Sequence, residues 1–165
     1  MVNSGADLDP FIAGLDYPMF VVTTVRPDTG ERAGCLVGFA TQSGIDPDRF
    51  VVCLSENNHT FRVAAAAEAL AVHALDTAHR ELAELFGTLS GDRVDKFARC
   101  PWRTGPRGMP ILTGCPRWFV GDILDRVRLG NHTGYLLAAV ESSGEPSAAP
   151  LMFSAVRDLE AGHGA

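Results

Sequence analysis

The stretch Tyr17-Pro18-Met19-Phe20-Val21-Val22-Thr23-Thr24-Val25, followed by Arg26-Pro27-Asp28-Thr29-Gly30 and a second segment from Arg32 to about Thr41, decides the fold class. Both flanks are rich in apolar and β-branched residues, which suit a pleated, half-buried surface. A short turn of Pro, Asp and Gly separates them, and two strands so joined form an antiparallel hairpin. A third strand is predicted from Arg49 to Ser55, and others over Ala71–Leu75, about 115–127, about 134–141 and Leu151–Val156. Gly130-Asn131-His132-Thr133-Gly134 reads as a tight turn that feeds the buried run from Tyr135 to Val140.

Helical segments interrupt these strands. The alanine-rich run Thr60 to Leu70 has strong helix propensity, and Asn57, Asn58 and Thr60 can all cap its start. Asp76 or Thr77 caps a second helix whose Leu82, Leu85 and Phe86 share one face, closed by Gly87. Gly91 to Ala98 is predicted as a short helix with Val94 and Phe97 inward. Residues 100–114, rich in Pro and Gly, read as a long loop, and Ser142 to Pro150 as a turn-rich connector. This order lacks regular βαβ alternation. It predicts one mainly β domain, an antiparallel barrel with peripheral helices, over residues 11–156, with a loose arm at 1–10 and a frayed tail at 157–165.

The chain has 165 residues, enough to bury roughly 70% of its unfolded surface without a metal or disulfide staple. Its formal charge of −6 and the absence of any basic block speak against nucleic acid as a partner. The four cysteines at 35, 53, 100 and 115 form no CxxC pair, and the histidines do not pair at ligand spacing, so no metal site is predicted. Reduced thiols, an N-terminus without a signal-peptide pattern and the lack of a membrane-length apolar run predict a cytoplasmic protein.

Three segments could carry chemistry. Gly34 to Pro47 is a strand with an inserted glycine, then a polar bend ending in Asp46-Pro47, whose unpaired backbone N–H groups can bind the polar edge of a flat heterocycle. Ser55 to Thr60 precedes a helix, and free N–H groups there suit phosphate, with Arg62 adding charge. His132 sits in the turn before a buried strand, where an imidazole can donate a hydrogen bond or a proton near neutral pH. Asp76, His79 and Arg80 form a lesser polar group. GxGxxG, GxxxxGK[ST], GxSxG and HExxH are all absent, which disfavours Rossmann dehydrogenases, P-loop enzymes, α/β-hydrolases and zincins.

Taken in order, Pro18 to Thr24, Gly34 to Pro47, Val51 to Ser55, Asn57-x-x-Thr60, Leu82-Ala83-x-x-Phe86, Lys96-Phe97, Gly108-x-Pro110-x-Leu112 and Gly130-x-His132 resemble the flavin reductase-like, FMN-binding split-barrel family over residues 11–153. The resemblance implies an antiparallel split β-barrel and a homodimer with flavin bound near the dimer interface. It implies reduction of FMN or FAD by NADH or NADPH, with a partner monooxygenase as consumer of reduced flavin. The alternative is a flavin-binding electron carrier without reductase activity. By position, Leu36, Val37, Gly38 and Phe39 would line the flavin, and Thr41 would be the nearest hydroxyl. Gln42, Ser43, Gly44, Ile45, Asp46 and Pro47 would hold the ring edge, and Asn57, Asn58 and Thr60 would sit near phosphate. His79 is carried as a cofactor-binding residue and His132 as the catalytic one beside the nicotinamide. Where the family has small hydroxyl residues, this chain has Leu36-Val37-Gly38-Phe39-Ala40, which predicts weaker flavin affinity. Asn131 stands where an aspartate is usual, which makes His132 a neutral donor.

Overall fold

A computed structural model describes residues 5–145 and 149–164. Seven antiparallel strands form one curled sheet in the order β2-β1-β5-β8-β9-β4-β3. They are β1 Phe20–Val25, β2 Arg32–Val37, β3 Ala40–Ile45, β4 Asp48–Ser55, β5 Ala69–Ala74, β8 Trp118–Leu129 and β9 His132–Ser143. A small hairpin of β6 Trp102–Thr104 and β7 Pro110–Leu112 stands apart. The helices are α1 Asp9–Ile12, α2 His59–Ala64 and α3 Arg80–Thr88.

The sheet's two end strands, β2 and β3, are consecutive in the chain and meet at the corner Gly38-Phe39. There the Cys53 N–H of β4 donates to the Phe39 carbonyl at 2.8 Å, which carries the β3–β4 ladder up to the corner. Side-chain alternation then fills the interior. Cys35 and Val37 of β2 join Val22, Val52, Leu54, Leu70, Val72, Tyr135 and Leu137 in one buried cluster. A second buried cluster lies outside β1, where Val21 and Met19 meet Ala83 and Phe86 of α3, Phe97, Leu112 and Leu151. β1 is therefore buried on both faces, and its two threonines, Thr23 and Thr24, are buried with their hydroxyls bonded to the Pro110 and Ala69 carbonyls.

Two buried polar side chains fasten this outer layer. The Lys96 ammonium donates to the carbonyls of Gly34 (2.9 Å) and Phe86 (3.2 Å), and burial pushes its pKa down. His73, fully buried in β5, has Nδ1 on the Val21 carbonyl and accepts the Leu112 N–H at Nε2. These partners fix a neutral tautomer, and desolvation lowers its pKa to about 4.

Several elements differ from the sequence reading. The alanine-rich helix stops at Ala64, and Leu70 belongs to β5, because Ala69, Leu70 and Ala71 fill the space between the two strands flanking them. The segment from Arg32 to Thr41 breaks at the barrel corner, so β3 begins at Ala40 and the expected polar bend is mostly strand. Residues 100–114 contain the β6–β7 hairpin, held down by the Thr23 hydroxyl on the Pro110 carbonyl and by buried Met109, Ile111 and Leu112. Gly87 lies inside α3, where a side chain would strike Leu36. Only Lys96–Ala98 of the 91–98 segment is helical, as a single 3₁₀ turn. Leu151–Val156 makes isolated bridges through Pro18 and then a 3₁₀ turn rather than a strand. Part of the Ser142–Pro150 connector (146–148) and the first residues of the N-terminal arm (1–4) lie outside the described residues.

Candidate functional site

A groove runs along the outer face of the β2–β3 corner. One wall is a row of aromatic rings. Phe153 stacks on Tyr17 (centroids 4.9 Å, 14°), Tyr17 meets Phe39 at 6.1 Å, and Phe39 meets His132 at 5.2 Å. Phe39 is 55% exposed, so a large apolar ring faces solvent at the centre of this row. Beside the row is a cavity of about 190 Å³ lined by Leu36, Asn58, Phe86, Gly87, Phe153 and Arg157, and by residues Leu159 to His163. The Arg157 guanidinium lies 5.6 Å over the Phe153 ring and supplies a cation at its edge.

His132 begins β9 directly opposite Leu129 across the two-residue turn Gly130-Asn131. Its Nδ1 sits 2.7 Å from Asn131 Oδ1. A carbonyl oxygen can only accept, so the ring proton resides on Nδ1 and Nε2 is left as an acceptor. Burial and the neighbouring His163 lower its pKa, and Glu56 opposes them. The imidazole is therefore neutral, but it offers the groove an acceptor where the sequence reading anticipated a donor.

The predicted site residues divide into three sets. Leu36, Gly38, Phe39, Asn58 and His132 come together on the groove, with Asn57 exposed at the same loop. Thr41, Gln42, Ser43, Gly44, Ile45, Asp46 and Pro47 form the exposed β3 and its turn, with a cis Asp46-Pro47 bond and a bulge between Gln42 and Gly44. Since β3 ends the sheet, one edge of its backbone has no strand neighbour. Val37, Thr60 and His79 are not brought to the groove. Val37 points into the barrel by alternation. Thr60 is 1% exposed and its hydroxyl is engaged with Cys35. His79 closes a capping box with Asp76, and its Nε2 donates to the Gly114 carbonyl, so both ring nitrogens are used within the fold.

The helix-start reading also changes. α2 has only six residues, and Asn58 Oδ1 already accepts the Thr60 N–H at 2.9 Å. Arg62 is tied to Asp92 at 2.5 Å. A larger cavity of about 410 Å³ lies beyond His59, between β2 and residues 91–97. Several of its polar groups already have partners: His59 stands 3.2 Å from Glu31 and 2.9 Å from Asp92, Lys96 rests on carbonyls, and the Arg32 guanidinium lies 4.4 Å over the Trp102 ring.

Tyr17, Phe153, Arg157 and His163 escaped the sequence reading. Phe153 and Arg157 come from the far end of the chain, and no local pattern signals that they return to the β2–β3 corner. Tyr17 does carry a signal, since a Cβ on Gly38 would lie 2.4 Å from its ring: the glycine exists to let the tyrosine cover it. Among the described residues no cluster of His, Cys, Asp and Glu could hold a metal, and no helix is long and apolar enough to cross a membrane.

The rings at Phe39 are tilted by 55° to Tyr17 and 52° to His132, and this aromatic row beside the open β3 edge suits a heterocycle with an apolar face and a polar rim. The cavity does not suit its size, because ligand sites typically occupy about 300–1,000 Å³.

Comparison with known proteins gives this geometry a family. A model of the flavin reductase like domain matches residues 12–160. The chain is 30% identical over 139 residues to an NADH-dependent FMN reductase of Ancylobacter novellus, covering 79% of this chain and 75% of that protein. It is 27% identical over 125 residues to a stachydrine N-demethylase reductase subunit of Rhizobium meliloti, covering 74% of this chain and 53% of that protein. A further relative from that organism is matched over 39% of its length, so the chain spans only about half or less of these two proteins. It is 29% identical over 127 residues to the 4-hydroxyphenylacetate 3-monooxygenase reductase component of Pseudomonas aeruginosa, with 76% and 74% covered. A flavin reductase domain protein from an Arthrobacter species superposes with a TM-score of 0.79 at 20% identity, over 90% of this chain and 89% of that one. An NADH:FAD oxidoreductase of Streptomyces globisporus gives 0.79 at 20% identity over 88% and 85%.

Proposed function

The chain belongs to the flavin reductase-like domain family, and on that footing we propose that it is a flavin reductase that passes a hydride from NADH or NADPH to FMN or FAD. The observation that carries this reading is the aromatic row Tyr17-Phe39-His132, with Phe39 exposed at its centre, which runs into the unpaired edge of β3. Leu36, Gly38 and Phe39 offer an apolar face to the isoalloxazine ring. Backbone groups of Gln42 to Pro47 meet its polar rim, with Thr41 as the nearest hydroxyl. Asn57, Asn58 and Arg157 are the polar residues placed toward the phosphate end.

When bound, flavin supplies the hydride acceptor. The protein's part is orientation. His132 Nε2, an acceptor held by the Nδ1–Asn131 contact, suits the carboxamide N–H of a nicotinamide and would seat that ring over the flavin. Nothing in this role requires a charged histidine.

A homodimer fits the same frame. Leu124, Val127, Leu129 and Val140 of β8 and β9 are all between 41% and 51% exposed, and Ile45 of β3 is 84% exposed. Single exposed aliphatics are ordinary, but several on neighbouring strands beside the groove favour coverage by a second copy. The names of relatives that serve as reductase components support a monooxygenase as the consumer of reduced flavin.

The test is NADH and NADPH oxidation by purified protein with added FMN or FAD. A rate above the flavin-only blank supports the proposal. A rate equal to the blank with every pair defeats it.

A further inference from the structure

We infer that residues 158–163 are a built-in competitor of flavin, seated in the groove and displaced when flavin binds; this rests on the reading of the groove as a flavin site. Four observations carry it. First, Leu159, Ala161, Gly162 and His163 line the same cavity as Leu36 and Asn58, and with them in place the cavity is about 190 Å³, too small for a flavin. Second, the Asn58 amide is engaged on both of its heavy atoms. Its Oδ1 accepts the Thr60 N–H, and its Nδ2 lies 3.4 Å from His163 Nε2. His163 Nδ1 lies 2.6 Å from the Gly164 carbonyl, which fixes Nε2 as the acceptor of the Asn58 N–H. One of the two N–H donors of that amide is thus taken by the segment.

Third, the seat is shaped for the segment. A Cβ at Gly162 would lie 2.7–2.9 Å from backbone atoms of Thr88, Leu89 and Ser90, so only glycine passes the end of α3 at this depth. Asp158 pairs with Arg80 at 2.8 Å, and Leu159 packs against the outer core. Fourth, the segment is weakly held. It belongs to no strand, most of its residues are exposed, and among the described residues its backbone is tied by the short turn from the Leu159 N–H to the Val156 carbonyl. Segments with few buried contacts and few protected backbone bonds open at low free-energy cost.

The consequence is an apparent flavin affinity reduced by the fraction of molecules that are open. Leu36 and Leu159 line this cavity together, so the segment presents an apolar side chain where a bound ribityl chain would present hydroxyls. The protein would therefore exchange flavin as a substrate rather than retain it.

FMN titration by fluorescence, on the wild type and on Gly162→Val, tests this together with hydrogen exchange of a peptide covering 157–163. Valine at 162 cannot take the seat, so the variant should bind FMN about tenfold tighter if about one wild-type molecule in ten is open. His163→Ala, which frees the Asn58 amide without steric conflict, should shift affinity in the same direction. In the wild type, FMN should speed exchange in the segment. Equal affinities in wild type and both variants, or slower exchange on adding FMN, overturn the inference while leaving the flavin site standing. Failure of all three proteins to bind FMN or FAD overturns the flavin reading, and the inference falls with it.

Discussion

Replacing His73 by glutamine should flatten the acid limb of the protein's stability curve. His73 is fully buried, neutral and held at both nitrogens, with a pKa lowered from 6.5 to about 4 by desolvation. The unfolded chain takes up a proton near pH 6.5, whereas the native state refuses it until about pH 4. A group whose folded pKa is depressed stabilises the fold above its unfolded pKa, and that contribution is lost as pH falls toward the folded pKa. The loss accrues at about 1.4 kcal/mol per pH unit across this window, so it reaches about 3 kcal/mol by pH 4. That is a large share of the ~5–15 kcal/mol typical of a domain. Glutamine can still donate toward Val21 and accept from Leu112, but it does not titrate. Urea unfolding at several pH values between 7 and 4 gives the two curves, and their difference removes the contribution of carboxylates common to both. Wild-type stability should fall more steeply than that of His73→Gln from pH 6.5 downward. Parallel curves over that range would refute the buried neutral imidazole.

Phe86→Ala removes a ring that is 1% exposed, edge-on to Phe97 and beneath the Lys96 ammonium, and should cost about 3–5 kcal/mol in denaturant unfolding. Gly38→Ser drives a side chain into Tyr17 and should cost about 1–3 kcal/mol, and most of that penalty should vanish when Tyr17 is alanine. His132→Ala should lower NADH oxidation far more than FMN affinity. Equal loss of both would move His132 from the nicotinamide side to the flavin side.

The parts of the fold carried by local chemistry were legible. The turn at 26–30, the strand from Arg49 to Ser55, the Asn58 and Asp76 caps, and the Leu82/Leu85/Phe86 face of α3 each depend on neighbours in sequence. Where long-range packing decides, the reading failed. Alanines 69 and 71 favour a helix by propensity, yet small residues are what a central strand between two packed layers accommodates. The Pro/Gly-rich 100–114 segment became a hairpin because buried Ile111 and Leu112 outweigh its turn composition. The site shows the same division. His132 was legible as a strand entrance, whereas Phe39 entered only by position, through the resemblance. His79 and Thr60 have the right chemistry, but their polar atoms are consumed by partners that no local pattern reveals, Gly114 and Cys35. The return of Phe153, Arg157 and His163 to the groove depends on tertiary closure alone.

Steady-state oxidation of NADH with FMN, set against a flavin-only blank and with FMN binding titrated on the same preparation, tests the central claim most directly. The account predicts saturable binding of FMN and an NADH oxidation rate that rises above the blank in proportion to protein. Saturable binding with no rate above the blank, for NADH and NADPH alike, would contradict it.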